Sequence, residues 1–326
     1  MSLRTRLAGG VDYALEASVI GGFSRVGPLV RGRLEHWVEP PRLEGRVCLV
    51  TGGSGGLGLA AALGLAHLGA SLRLLVRDAR RGEDARRHIV AETGNDDVRC
   101  ELVDMSLRRS VRECAERILG GDEAVHVLVQ NAGVLPPERR ETEDGLELTF
   151  ATNVLGPHLL TRLLRDRLVA SAPARVLFVS SGGMYLRRLD VDDLQTRDRS
   201  FDGTDAYSRS KRAEVVLAER WAEELAGTGV VVHSMHPGWA DTPGIKQSIP
   251  GFQRIMGPLL RTPEQGADTI VWLAAAAEPG EMTGRFWCDR HIRTTHRLRK
   301  TPETAEERDR LWHALEALAS GAAPRI

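Results

Sequence analysis

The chain has 326 residues, enough for one large domain or two ordinary ones, and its 44 acidic residues balance 44 basic ones. That balance creates no field able to recruit nucleic acid, which removes nucleic-acid binding from the leading functions. Four scattered cysteines, with no CxxC spacing and no neighbouring His cluster, exclude structural zinc and a disulfide framework, and a reducing, cytoplasmic compartment is the simplest home.

In chain order, residues 1–44 form an amphipathic extension. Leu7, Val11, Leu15, Val19, Val26, Val30, Leu34 and Trp37 recur at helical spacing, while Gly9-Gly10, Gly21-Gly22 and Pro28 interrupt any single long helix. Two or three short helices are expected. Five arginines against three acidic residues within 1–38 permit peripheral membrane contact, but packing of the stripe on the protein or across a homo-oligomer interface needs no second signal. No apolar run approaches the roughly 20 residues that span a bilayer, and no signal-peptide core is present.

From about residue 46 to 288, apolar runs alternate with helical patterns. RVCLV, LRLLV, VRCELV, VHVLVQ, RVLFVS, VVVHSM and GRFWC read as strands apolar on both faces, so the expected fold class is α/β. The architecture is a doubly wound parallel sheet of about seven strands with helices on both faces. The organisation is then an extension over 1–44, one nucleotide-binding domain over 45–290 and a helical tail over 291–326. The tail, with Leu311, Leu315 and Leu318, reads as one amphipathic helix packed on the domain or a partner subunit.

The first strand runs into TGGSGGLG, Thr51 to Gly58, and then into a helical run. Strand, glycine turn and helix place backbone N–H groups and a positive helix end against a pyrophosphate. The glycines read both as TGxxxGxG (Gly52, Gly56, Gly58) and as TGxxGxxG (Gly52, Gly55, Gly58). After the strand VHVLV comes QNAG, where Asn131, Ala132 and Gly133 turn tightly beside the cofactor cleft. Asn153 lies within a helical pattern near Pro157, where a polar side chain needs a reason. Ser180 and Ser181 end the strand RVLFV, and Ser181 is the better candidate to project into the crevice.

Tyr207 and Lys211 stand four residues apart at the start of a helix, so the ammonium lies beside the phenol and favours its ionised form. With three tyrosines and three lysines in the chain, chance supplies about 0.03 such pairs. Tyr185 is no rival, because Leu189 stands four residues on.

In this order TGGSGGLG, QNAG, Asn153, Ser181, YSRSK and HPGWADT resemble the short-chain dehydrogenase/reductase family over about residues 44–288. The resemblance selects TGxxxGxG and leaves Gly55 as a turn residue. It implies a Rossmann fold whose catalytic set is Asn153, Ser181, Tyr207 and Lys211, making the chain an oxidoreductase. Tyr207 would exchange the proton at the carbonyl oxygen and Ser181 would hydrogen-bond that oxygen. Lys211 would support the phenolate and hold ribose hydroxyls, and Asn153 would fix a relay water. The dinucleotide would meet Thr51, Gly52, Ser54, Gly56, Leu57 and Gly58. Asn131, Ala132 and Gly133 would border it, with Asp104 at the adenine edge and Pro237, Gly238 and Thr242 at the carboxamide. Gln130 departs from the second Asn common in the family.

At the end of the second strand Arg77 precedes Asp78. Arginine suits a 2′-phosphate, so NADP(H) is favoured and NAD(H) is the alternative. The 26-residue spacing from Ser181 to Tyr207 holds an insert like those of retinol-dehydrogenase-like members. Ile245, Ile249, Phe252, Ile255, Met256 and Leu259 follow Thr242 and point to a lipophilic carbonyl or alcohol. The competing functions are a catalytically silent nucleotide-sensing protein, disfavoured by the complete catalytic set, and an NAD-dependent epimerase-like isomerase. The latter is disfavoured by the short chain after Cys288.

Overall fold

The computed structural model describes residues 3–121, 124–197, 199–241, 254 and 256–321. Eight strands form one sheet: β1 (Val47–Thr51), β2 (Ser71–Val76), β3 (Val98–Leu102), β4 (Val127–Gln130), β5 (Ala174–Val179), β6 (Val230–Met235), β7 (Arg285–Cys288) and β8 (His291–Ile292). Their order is β3-β2-β1-β4-β5-β6-β7-β8, parallel except for the final β7–β8 pair. All seven expected strands are present. The order reverses between β1 and β4, which pair as Cys48↔Val127 and Val50↔Val129. A crevice therefore opens beyond the carboxyl ends of these two strands, where doubly wound sheets bind ligands.

The strands are apolar on both sides because both sides are covered. Before the sheet come α1 (Leu3–Ala17), α2 (Val19–Phe23) and α3 (Val26–Glu35); α4 (Gly56–His67) and α5 (Ala79–Thr93) follow β1 and β2. On the other face lie α6 (Arg108–Gly120), α7 (Leu148–Phe150), α8 (Gly156–Ala170) and α9 (Gly203–Glu224). Then come α10 (Pro263–Ala275), which joins α4 and α5 on the first face, and α11 (Ala305–Ser320). Small residues let α4 and α10 approach closely: a Cβ on Gly64 would stand 2.6 Å from a Val271 methyl. Leu65 of α4 and Leu72 and Leu74 of β2 are fully buried in the same cluster, each contributing about 1.5–3 kcal/mol.

The tail helix α11 packs against α8 and α9. Trp312 meets Trp221 and the buried His158 at ring-centroid distances of 5.1 Å, and His158 Nε2 lies 2.9 Å from Glu316. Thr304 and Glu307 form a capping box that fixes where this helix begins.

The N-terminal segment also packs on the body, though only part of the stripe its periodicity suggests is covered: Val11, Leu15, Val30 and Trp37 are half-buried. Val19, Val26 and Leu34 are exposed. Docking also runs through the buried Phe23 and a set of ion pairs. Arg31, 1% exposed, bonds Asp12 at 2.7 Å and Asp289 at 2.5 Å, while Arg293 reaches Asp12 and Arg297 reaches Glu16. Helical spacing identified residues sharing a face, part of which looks outward; the ion pairs of Asp12, Glu16 and Arg31 that hold the segment are not reported by apolar periodicity.

Candidate active site

The glycine turn sits at the β1 end of the crevice. Gly52 (φ 68°) and Gly56 (φ 52°) adopt left-handed backbone, and a Cβ on Gly58 would stand 2.4 Å from the Gly52 carbonyl oxygen. Gly55 is extended at φ −177°, which any residue adopts. The geometry therefore requires the glycines of TGxxxGxG. Helix α4 opens on this turn with no side-chain cap, leaving its first N–H groups for an anionic ligand. Ser54 and Leu57 are half-buried along the turn.

Thr51 takes a different part from the expected one. Its buried hydroxyl accepts from the Asn131 N–H (2.8 Å) and Ala132 N–H (2.9 Å) and donates to the Val129 carbonyl (3.2 Å). Asn131 Nδ2 donates back to the Thr51 carbonyl at 2.9 Å. These side chains brace the glycine turn against the QNAG turn, and the Thr51 hydroxyl is fully engaged within the protein. Gln130 uses its amide to bond the Pro157 carbonyl and the Thr161 hydroxyl, a structural role.

On the β5 side, Ser180 is buried and donates to the Lys211 carbonyl at 2.7 Å, whereas Ser181 is half-buried and caps the short 3₁₀ turn Gly182–Leu186. The Ser180 hydroxyl is thus committed within the protein, and Ser181 is the more exposed of the two. Tyr207 and Lys211 lie in the first turns of α9, which Asp202 caps through the Asp205 N–H. Lys211 Nζ stands 5.4 Å from the Tyr207 ring centroid and donates to the Val179 carbonyl (3.0 Å) and Glu214 (2.7 Å). An ammonium has three N–H donors, so these two bonds leave one uncommitted. A Cβ on Gly133 would stand 3.4 Å from this Nζ and 3.5 Å from Asn153 Oδ1, so glycine keeps that space open.

Asn153 is fully buried in a π turn, Ala151–Leu155, between α7 and α8. Its Oδ1 accepts from the Val134 N–H (2.9 Å), and its Nδ2 donates to the Val134 carbonyl (3.2 Å) and Ser210 Oγ (2.9 Å). The side chain thus ties the QNAG segment to α9, with one lone pair of Oδ1 left. π turns inside helices are frequent at functional sites.

Glu214 was not singled out from the sequence, although it follows Lys211 by one helical turn. It is buried against the ammonium, and burial pushes its carboxyl up to about 7 despite the pull of Lys211. For Lys211 burial opposes the charge, but Glu214 and Tyr207 outweigh it, and the pKa is raised.

At the adenosine end, Arg77 is exposed and Asp78 caps α5 by accepting from the Arg81 N–H at 2.9 Å. The Arg81 side chain was also not anticipated: a Cβ on Gly55 would stand 3.1 Å from its Nη2, so this guanidinium overhangs the glycine turn. Asp104 ends the β3 segment and accepts from the Ser106 N–H and hydroxyl through Oδ1. At the opposite end, Pro237 is half-buried and Gly238 (φ 71°) donates to His236 Nδ1 at 3.1 Å. Thr242, Ile245, Ile249, Phe252 and Ile255 lie outside the described residues; Met256 is half-buried and Leu259 exposed.

The family model for short chain dehydrogenases matches residues 46–251. Dehydrogenase/reductase SDR family member 12 of Homo sapiens is 43% identical over 85% of this chain and 87% of its own length. Retinol dehydrogenase 13 of Homo sapiens is 34% identical over 84% of this chain and 86% of its own. Among solved structures, an uncharacterized protein from Mycobacterium paratuberculosis has a TM-score of 0.70 at 27% identity, covering 89% of this chain and 99% of its own. The Pseudomonas aeruginosa RhlG/NADP active-site complex has a TM-score of 0.63 at 26% identity, covering 77% of this chain and 96% of its own. With this fold, this glycine turn and these relatives, the chain belongs to the short-chain dehydrogenase/reductase family and is an oxidoreductase of that type.

Proposed function

We propose that the protein is an NADP(H)-dependent oxidoreductase interconverting a lipophilic carbonyl and its alcohol, with Tyr207 as the general acid/base. The observation that carries this reading is Lys211, buried, held protonated by Glu214 and lying beside the Tyr207 ring with one donor left uncommitted. The bound nicotinamide would supply or accept the hydride. Tyr207 would give the carbonyl oxygen its proton, Ser181 would hydrogen-bond that oxygen, and Lys211 would stabilise the phenolate and hold ribose hydroxyls. Asn153 would keep the QNAG segment and α9 in register.

Gly52, Gly56 and Gly58 with the uncapped start of α4 suit the pyrophosphate, and Pro237, Gly238 and Thr242 are assigned to the nicotinamide end. NADP(H) over NAD(H) is supported by the charges around the adenosine end. Asp78 is committed to its helix cap, while Arg77 is exposed and Arg81 overhangs the turn. The Pseudomonas aeruginosa RhlG relative, solved in complex with NADP, supports this choice. Relatives named retinol dehydrogenase support a lipophilic substrate. Residues 1–38 are read as a packed element of the protein rather than a membrane anchor; among the described residues no helix is long and apolar enough to cross a membrane.

The test is consumption of NADPH and of NADH with a panel of aldehydes and ketones, both lipophilic and small polar. Turnover with NADPH on at least one apolar carbonyl is expected. Turnover only with NADH, or only with small polar carbonyls, would contradict the cofactor or substrate part of the reading.

A further inference from the structure

Phe23 lies outside the matched segment, at the end of α2, yet it touches both loops that flank the candidate site. On one side, its ring lies against Gly182: a Cβ there would stand 2.5 Å from Phe23 Cε2. Gly182 directly follows Ser181. The same ring stacks on Tyr185 at 6.2 Å between centroids, and Tyr185 is anchored by its hydroxyl to the Thr294 carbonyl. On the other side, the ring meets His236 at 4.4 Å and Trp239 at 5.7 Å, the residues bracketing Pro237 and Gly238.

The backbone makes a second connection. The Phe23 carbonyl accepts from the Trp239 N–H at 2.7 Å and from Arg261 Nε at 3.1 Å, while the Gly22 carbonyl accepts from Arg261 Nη2 at 2.6 Å. Arg261 is itself fixed by both oxygens of Asp289, the residue that also holds Arg31 of α3. The ion pairs around Asp289 thus hold the end of α2 in place.

Both loops present a glycine to Phe23: a Cβ on Gly238 would stand 2.6 Å from the Phe23 carbonyl oxygen, as one on Gly182 would meet the ring. Gly182 and Gly183 have no side chains to pack, and the bond from the Gly183 N–H to Ser181 Oγ is long, at 3.4 Å. Gly238 has left-handed backbone. An aromatic ring fixed between such loops sets their separation, because packed interiors do not deform continuously.

We propose that Phe23 is a positioning residue for the reaction, its ring and carbonyl setting the spacing between the Ser181–Gly182 turn and the Pro237–Trp239 loop. The inference rests on the assignment of these loops to the carbonyl and nicotinamide ends of the site. The N-terminal extension is then a working part of the active site. Loss of the ring displaces Ser181 from the substrate oxygen, while the glycine turn that holds the pyrophosphate has no contact with Phe23 to lose. A misplacement on the order of 1 Å costs about a hundredfold in rate.

The experiment compares full-length Phe23→Ala, Phe23→Leu and Asp12→Asn with the wild type, below all their melting transitions. Steady-state reduction of a carbonyl substrate, NADPH titration and hydrogen exchange of segments 181–186 and 237–241 are measured. For Phe23→Ala, kcat falls about a hundredfold, NADPH affinity stays within about threefold, and exchange quickens in both segments. Phe23→Leu restores kcat to within about fivefold of wild type, since an apolar side chain again fills the site. Asp12→Asn, which weakens the Asp12 contacts to Arg31 and Arg293 but keeps the Phe23 ring and the Arg261–Asp289 pair, lowers the melting temperature and lowers kcat far less than Phe23→Ala. Wild-type kcat in Phe23→Ala would overturn the inference, as would equal kcat losses in Asp12→Asn. If Phe23→Ala does not fold, Phe23→Val, whose side chain is too small to reach both loops, takes its place, and wild-type kcat in that protein overturns the inference. If the wild type reduces no carbonyl, the functional reading fails by itself; unchanged exchange in the two segments of the Phe23 variants then separately overturns the link drawn here.

Discussion

Glu214 is the residue whose chemistry is most altered by its position. It is buried beside Lys211, and its carboxyl is raised from 4.5 to about 7. A carboxyl raised on folding binds its proton more tightly in the folded state, so its contribution to stability is present below pH 4.5 and is lost as pH rises towards 7. Glu214→Gln removes this titration. Denaturant unfolding of both proteins at pH 5 and pH 7.5 should show the wild type losing on the order of 2–3 kcal/mol more than the variant over that interval. Equal losses would mean that Glu214 titrates normally. At the other end of the crevice, Arg77→Ala should weaken NADPH binding about tenfold or more and leave NADH nearly unchanged, because a charge-assisted bond to phosphate is lost. Fluorescence titration with both cofactors measures this. If NADPH is undiminished until Arg81 is also replaced, Arg81 is the principal phosphate ligand.

At the scale of elements, the N-terminal helices differ from the sheet in how they are held. The sheet is held by apolar burial on both faces, whereas α1–α3 are held by Phe23 and by Asp12, Glu16 and Arg31 facing Asp289, Arg293 and Arg297. Removing one side of such pairs leaves charges short of partners, a cost of about 3–5 kcal/mol where they are buried. Deletion of residues 1–38 should therefore lower the melting temperature by roughly 10 °C or more. The outward side carries the exposed Val19, Ile20, Val26, Leu29 and Leu34. Sedimentation with anionic vesicles tests whether that side meets a membrane: the packed reading expects neither form to pellet. Unchanged melting combined with pelleting that depends on residues 1–38 would establish membrane contact instead.

At the scale of the whole molecule, the sheet was legible in the sequence because RVCLV, LRLLV and their counterparts are apolar at successive positions, a pattern that only burial on both faces requires. The two-residue β8 was not, since it depends on a turn in which Asp289 and Arg290 adopt left-handed backbone without a glycine to announce it. The glycine turn was readable up to its two alternative spacings, and backbone conformation separates them. Lys211 lies beside Tyr207 on α9, Asn153 of the π turn bonds Ser210 of the same helix, and Ser181 stands at the end of β5. Glu214 and Arg81 were missed because a charged residue on a helix is ordinarily solvated, and spacing alone does not reveal a buried or overhanging side chain. Phe23 was missed because its contacts are more than 150 residues away in sequence. The central claim is that Tyr207 transfers the proton at the carbonyl oxygen, and Tyr207→Phe assayed for both turnover and NADPH binding tests it most directly. The account predicts that turnover falls at least about a hundredfold while NADPH affinity stays within about threefold. Retention of more than about a tenth of wild-type turnover would contradict it.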